Sequence, residues 1–153
     1  MSRIETLEPG FREQVQSIIA ELTETTGMQW GIVQARRTIA YQDGLYNQPT
    51  DGKDNDGDGK IDEADEKVTG AKGGQSPHNY GLAADIVPIK NGNEWWSAPE
   101  KYWVMLCDAA EKRGLTSGYR FNIPGVGKDR SHVEHPRWRE KRALWKAGRL
   151  EVT

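Results

Sequence analysis

No stretch constrains this chain more than residues 50–75, TDGKDNDGDGKIDEADEKVTGAKGGQ, which are too polar and too rich in Gly and Asp to lie in a core. They read as a loop or an insertion. Residues 51–66 alone hold eight acidic side chains against two lysines, a local charge of −6. Residues 120–153 carry the opposite bias, nine Lys and Arg against four Asp and Glu, a local charge of +5. The whole is nearly balanced at −2 and lacks the basic footprint of a nucleic-acid binder.

On either side of the insertion the pattern is that of a folded domain. Phe11, Val15, Ile18, Ile19 and Leu22 recur on one helix face, preceded by Pro9 and Gly10 and ended by Gly27. Trp30–Val33 is a short apolar run that predicts a buried strand. Thr38 then caps a second helix carrying Ile39, Gln42, Leu45 and Tyr46, closed by Pro49. Beyond the insertion, Ala83–Val87 reads as a strand. Ser97 and Pro99 open a third helix with Trp103, Leu106, Cys107 and Ala110 inward and Gly114 as its stop. Tyr119–Val126 is turn-rich with a further short strand expected in it, and His132–Glu134 forms a last one. Arg137–Arg149 is a basic helix with Leu144 and Trp145 on one side, expected to pack its tryptophans and solvate its charges, the alternative being contact with anionic cell-envelope polymers or a membrane surface. Helices and strands without regular βαβ alternation predict an α+β class. The 153 residues fit one domain, 1–153, with 50–75 inserted in it.

Other features narrow the setting. A single cysteine excludes an internal disulfide and suits a reducing compartment. Cys107 lies on an apolar stripe, where it fills a core and is no nucleophile. No apolar run is long enough for a membrane span. The start, MSRIETLEPGFREQV, has no basic segment leading into an apolar one, so a secretory signal is not expected.

The chemistry gathers around the three histidines, His78, His132 and His135, all in or beside glycine- or proline-marked loops. Two histidines and an aspartate supply the three protein ligands of a catalytic zinc site, leaving a position open for water. The first stretch is Ser76-Pro77-His78-Asn79-Tyr80-Gly81-Leu82-Ala83-Ala84-Asp85, and the second is Asp129-Arg130-Ser131-His132-Val133-Glu134. Together these give S-x-H-x-x-G-x-A-x-D and D-x-x-H-x-E. That combination resembles the zinc D-alanyl-D-alanine carboxypeptidase and L-alanyl-D-glutamate endopeptidase family, and most of all its small single-domain bacteriophage endolysins. Arg37-Thr38-Ile39-Ala40-Tyr41-Gln42 and the lead-in Gly73-Gly74-Gln75 are similar to the same family, so the likeness runs from about Phe11 to Glu134 without the insertion.

The resemblance implies a small antiparallel sheet flanked by helices, with a zinc site in a cleft on the sheet. It implies His78, Asp85 and His132 as Zn2+ ligands and Asp129 as the catalytic acid/base, with Glu134 the competitor for that role and otherwise a support of the site. Arg37 falls at the family's arginine near the substrate, and Ser76 at a serine that bonds substrate or a ligand. His135 replaces the usual apolar residue and leaves open which histidine of the pair coordinates. The function implied is hydrolysis of the peptide stem of bacterial peptidoglycan, at L-Ala–D-Glu as in the phage members, by a monomer. D-Ala–D-Ala carboxypeptidase action is the alternative, since spacing does not separate the two. A lysis enzyme of this kind is expected to accumulate in the host cytoplasm and to need a factor such as a holin to reach the wall. From a different class, a non-catalytic, calcium-dependent wall-binding module would bind calcium without stoichiometric zinc, and a folding or sulfur-modifying protein on the same fold would bind zinc without cutting the wall.

The insertion carries its own metal pattern. Against a Ca2+ loop, Asp54, Asp56 and Asp58 occupy positions 1, 3 and 5, Gly59 the sharp turn, Lys60 the backbone-carbonyl position, Ile61 the apolar one and Asp62 the ninth. Position 12 is Asp65 where a bidentate Glu is usual, with Glu66 beside it. The flanks do not read as two full helices, so the expectation is an isolated calcium loop that stabilises or activates the domain.

Overall fold

The computed structural model describes residues 3–48 and 71–153. Its elements are α1 (Pro9–Thr26), β1 (Gln29–Gln34), α2 (Ile39–Tyr46), β2 (Ala83–Lys90), β3 (Asn93–Glu94), α3 (Glu100–Lys112), β4 (Thr116–Ser117), β5 (His132–Glu134) and α4 (Trp138–Lys146). The strands form one antiparallel sheet in the order β1-β2-β5-β4, with β3 hairpinned onto β2. This is the α+β arrangement expected. The insertion and the whole calcium pattern at Asp54, Asp56, Asp58, Lys60, Asp62 and Asp65 lie outside the described residues.

Side-chain alternation in the strands separates the core from the site. In β5, Val133 is fully buried in the hydrophobic cluster, while His132 and Glu134 on either side of it point to the opposite face. Ile86 of β2 and Val133 join Phe11, Val15, Ile18 and Leu22 of α1 and Trp103, Leu106 and Ala110 of α3 in one cluster. Each large apolar side chain withdrawn this completely contributes on the order of 1.5–3 kcal/mol. The core is therefore two helices against one sheet face, and the other face is free to carry polar chemistry.

Three details differ from the sequence reading. Among the described residues β1 is an edge strand, with no partner on its outer side, and Trp30 alone is buried in it. The short strand sought in Tyr119–Val126 lies earlier, at Thr116–Ser117, and the turn-rich segment holds a 3-10 turn at Gly118–Arg120 and a single bridge between Ile123 and Gly127. The β2–β3 hairpin was unforeseen, although Asn91-Gly92 marks it: both residues have positive φ, 53° and 79°, as a type I′ turn requires. The basic helix packs as expected. Trp138 is buried and stacks on Tyr80 at 6.2 Å, while Lys141, Lys146 and Arg149 remain exposed.

Candidate metal centre and catalytic cleft

Three backbone devices bring the site together. Ser76 caps a 3-10 turn over Pro77–Tyr80 by accepting from the His78 N–H, which points the His78 ring under the chain leaving β1. Asp85 lies directly across the ladder from His132, so antiparallel register alone places these two side chains side by side. Asp129 is held by its N–H to the Gly118 carbonyl at 2.9 Å and by its own carbonyl accepting from His132 N at 3.1 Å. A Cβ on Gly118 would come within 2.1 Å of the Asp129 carbonyl oxygen, so only glycine admits this approach.

His78, Asp85 and His132 are all buried and each offers a ligand atom within 4.8 Å of the others, a set that could hold a metal ion. His78 Nε2 lies 3.7 Å and His132 Nδ1 3.4 Å from the same carboxylate oxygen, Asp85 Oδ1. His78 Nε2 and Asp85 Oδ1 are both buried without a hydrogen-bond partner. An unsatisfied buried polar atom costs about 1–3 kcal/mol, and a cation between them removes that cost. The donors are two imidazoles and a carboxylate, the chemistry that zinc takes.

The outer nitrogens fix which inner ones can ligate. His78 Nδ1 donates to the Ala35 carbonyl at 2.7 Å, so Nε2 carries the lone pair. His132 Nε2 donates to Glu134 Oε1 at 2.9 Å and presents Nδ1 inward. Glu134 thus orients the His132 ring, as outer carboxylates do at histidines that hold zinc. His135 is outside the cluster, and its ring accepts from Arg137 N at 3.1 Å.

Charge differs sharply across these groups. Burial pushes His78 down to about 3. Burial acts the same way on His132, but the Asp85 carboxylate at 3.4 Å and the hydrogen bond to Glu134 overcome it and raise this group to about 10. Asp85 is held below the usual carboxylate range because His132, His78 and Arg37 outweigh its burial. Asp129 is raised, first by burial and then by the neighbouring Asp85 and Glu134 charges. It stays 40% exposed, 3.8 Å from His132 Nδ1, and lines the cleft.

Arg37 and Ser76 line the same cleft of about 260 Å³. The Arg37 guanidinium reaches Asp85 Oδ2 at 3.5 Å, Gln34 and Gln42 each at 3.3 Å. Among the described residues three of its five N–H groups are so engaged, leaving two for a ligand. Gln42 is fully buried on the inner face of α2, with its amide nitrogen donating to the Ala71 carbonyl at 2.8 Å.

One residue escaped the sequence reading. Asn79 is fully buried; its side-chain oxygen accepts from Gly74 N and Ser76 N, and its amide donates to the Arg37 carbonyl at 3.1 Å. Arg37 N also donates to His78 O at 2.9 Å. Asn79 therefore ties the arginine's backbone to the His78 turn. Its position three residues after Ser76, where a capping-box residue sits, was the available signal.

Residues 69–135 match the family model described as D-alanyl-D-alanine carboxypeptidase, of the peptidase M15 type. No curated protein matches the chain. The fold is similar to the vancomycin-resistance D,D-pentapeptidase VanY from a VanB-type cassette, solved with Zn(II), at 17% identity and a TM-score of 0.62 over 93% of this chain and 79% of that one. It is similar also to the LD-carboxypeptidase LdcB, at 21% identity and a TM-score of 0.60 over 93% of this chain and 64% of that one. The L-Ala D-Glu endopeptidase ChiX of Serratia marcescens has a TM-score of 0.56 at 14% identity, over 92% and 87% of the two chains. The segment that matches the family model is the one that holds His78, Asp85, His132 and Asp129.

Proposed function

We propose that this protein is a zinc-dependent peptidase that hydrolyses the peptide stem of bacterial peptidoglycan, with His78, Asp85 and His132 as ligands. The observation that carries the reading is the buried, unsatisfied His78 Nε2–Asp85 Oδ1 pair facing His132 in a cleft that Asp129 and Arg37 also line. When bound, zinc supplies a Lewis acid that brings the pKa of water towards ~7. Asp129 takes the proton of the attacking water and returns it to the departing amine, and its raised carboxyl suits both halves of that transfer. Arg37 turns its two free N–H groups to the oxyanion developing at the scissile carbonyl. Ser76, whose oxygen already accepts from His78 N, keeps its O–H for substrate. Glu134 holds the His132 ring and takes no proton from water.

The bond we assign is L-Ala–D-Glu, on the motif resemblance to phage endolysins, with a lytic role after release from the host cytoplasm by a holin-like factor. D-Ala–D-Ala carboxypeptidase action is the second reading, favoured by the description of the matching family model. Calcium at Asp54, Asp56, Asp58, Lys60, Asp62 and Asp65 as an activator is a proposal from the sequence pattern alone. One experiment addresses all three: purified protein is incubated with isolated sacculi, with and without a zinc-selective chelator, and released peptides are identified by mass spectrometry. New D-Glu amino termini, lost on chelation and restored by zinc, are expected. Release of terminal D-Ala only would move the assignment to the carboxypeptidase, and no cleavage by zinc-loaded protein with calcium present would overturn the peptidase reading. In the same assay, unchanged activity of an Asp54→Ala/Asp56→Ala variant would remove calcium from the function.

A further inference from the structure

The cleft does not end at the metal cluster. Beyond Glu134 a second groove of about 410 Å³ continues from it, sharing Phe121, Ile123 and Glu134 with the first and reaching Thr116, Pro136 and Arg139. Phe121, Ile123 and Pro136 form its apolar part, Thr116 and Glu134 are polar, and at the far end the Arg139 guanidinium lies 4.7 Å from the centre of the Trp138 ring. Trp138 is buried, so this platform is fixed. Arg139 is exposed and has no carboxylate or hydrogen-bonding partner among the described residues, whereas Arg137 beside it is paired with Glu140 at 3.1 Å.

The sheet order sets the span of this continuous groove. Arg37 follows β1, Asp85 is on β2, His132 and Glu134 are on β5, and Thr116 is on β4. Three strand spacings of ~4.8 Å put the two edges roughly 14 Å apart, the length of about four residues of extended peptide at ~3.4 Å each. The metal cluster lies between two guanidiniums, one at each end. We propose that the β4-side groove is a second substrate subsite, in which Arg139 receives a free carboxylate of a peptide bound across the sheet, one to two residues beyond the scissile bond. This deepens the peptidase reading and rests on it. Trp138 restricts the guanidinium before substrate arrives, lowering the entropy lost on binding.

The test uses the zinc-loaded full chain and two stem-type peptides that differ only in whether the carboxylate on the β4 side is free or amidated. Arg139→Gln is expected to raise KM about tenfold or more for the free-carboxylate peptide, with kcat, zinc content and melting temperature unchanged. The amidated peptide should be turned over equally by both proteins, and Arg139→Lys should recover part of the loss. An equal effect of Arg139→Gln on both peptides, or none on either, overturns the subsite. If the native protein cleaves neither peptide, the peptidase reading has failed, and calorimetric binding of the same pair decides the subsite separately. Carboxylate-dependent binding lost in Arg139→Gln then supports it, and identical binding of the two peptides overturns it.

Discussion

His78 and His132 sit with ring centres 5.1 Å apart in one cluster, yet the protein prepares them in opposite ways. His78 belongs to a backbone-built half: a 3-10 turn capped by Ser76, an Nδ1–H spent on the Ala35 carbonyl, and Asn79 binding that turn to Arg37. Burial, helped by the charges of His132 and Arg37, outweighs Asp85 and the Ala35 carbonyl and disfavours its proton. His132 belongs to a carboxylate-built half, with Asp85 across the ladder, Glu134 on its outer nitrogen and Asp129 at 3.8 Å. There the imidazolium is the favoured form until a cation replaces the proton. One ligand is presented ready, and the other must exchange a proton for the metal.

The largest expected effect separates the carboxylates of the second half. Asp129→Asn should lower kcat by ~10²–10⁴-fold, the usual worth of a positioned acid/base, while zinc content stays stoichiometric. Glu134→Gln should instead weaken zinc binding by ~10–100-fold, as loss of an outer carboxylate does, and excess zinc should restore most of the activity. Steady-state kinetics beside metal analysis read both. Loss of turnover in zinc-saturated Glu134→Gln, with Asp129→Asn still active, would exchange their roles.

Next in size is the pH dependence. Zinc must displace the His132 proton, so its apparent affinity should rise by roughly tenfold per pH unit above neutrality until the group's own value is reached. Competition against a chromophoric chelator measures the slope, and an affinity flat from pH 6.5 to 9 would break the contrast between the halves. In the metal-free protein the two shifts act on stability with opposite signs. His78 is depressed from 6.5 to about 3, so its contribution is present above pH 6.5 and lost as pH falls towards 3. His132 is raised from 6.5 to about 10, so its contribution is present below pH 6.5 and lost as pH rises towards 10. Denaturant midpoints of the metal-free protein, as far as these two groups set them, should peak near pH 6.5 and fall on both sides.

The two halves were not equally legible in the sequence. His78, Asp85 and His132 came from the family resemblance of the two motifs around them, and the fold brings the three together. Helix faces such as Phe11, Val15, Ile18 and Leu22 were legible because burial of one stripe imposes a period. Gly118 was not, because its role depends on close approach to Asp129, and Asn79 left only its capping-box spacing from Ser76, which does not announce its bond to the distant Arg37. The edge position of β1 was hidden too, since a half-covered apolar strand and a buried one share the same composition. Arg37 was found by resemblance, but its three partners came only with the fold.

The smallest effect we predict lies in the backbone-built half and tests whether it works as one unit. Asn79→Asp keeps an oxygen for the Gly74 and Ser76 N–H groups but replaces the donor to the Arg37 carbonyl with a second acceptor. Losing one such bond beside a buried carbonyl is worth about 1–2 kcal/mol, and if it is felt as misplacement of Arg37, kcat/KM falls about tenfold. Zinc affinity should hardly move, since the His78–Ala35 bond is untouched. A double-mutant cycle makes the distinction: placed on Arg37→Ala, Asn79→Asp should cost almost nothing further in kcat/KM. Additive losses would mean that Asn79 only stabilises the turn, and that the arginine and the first ligand are positioned independently.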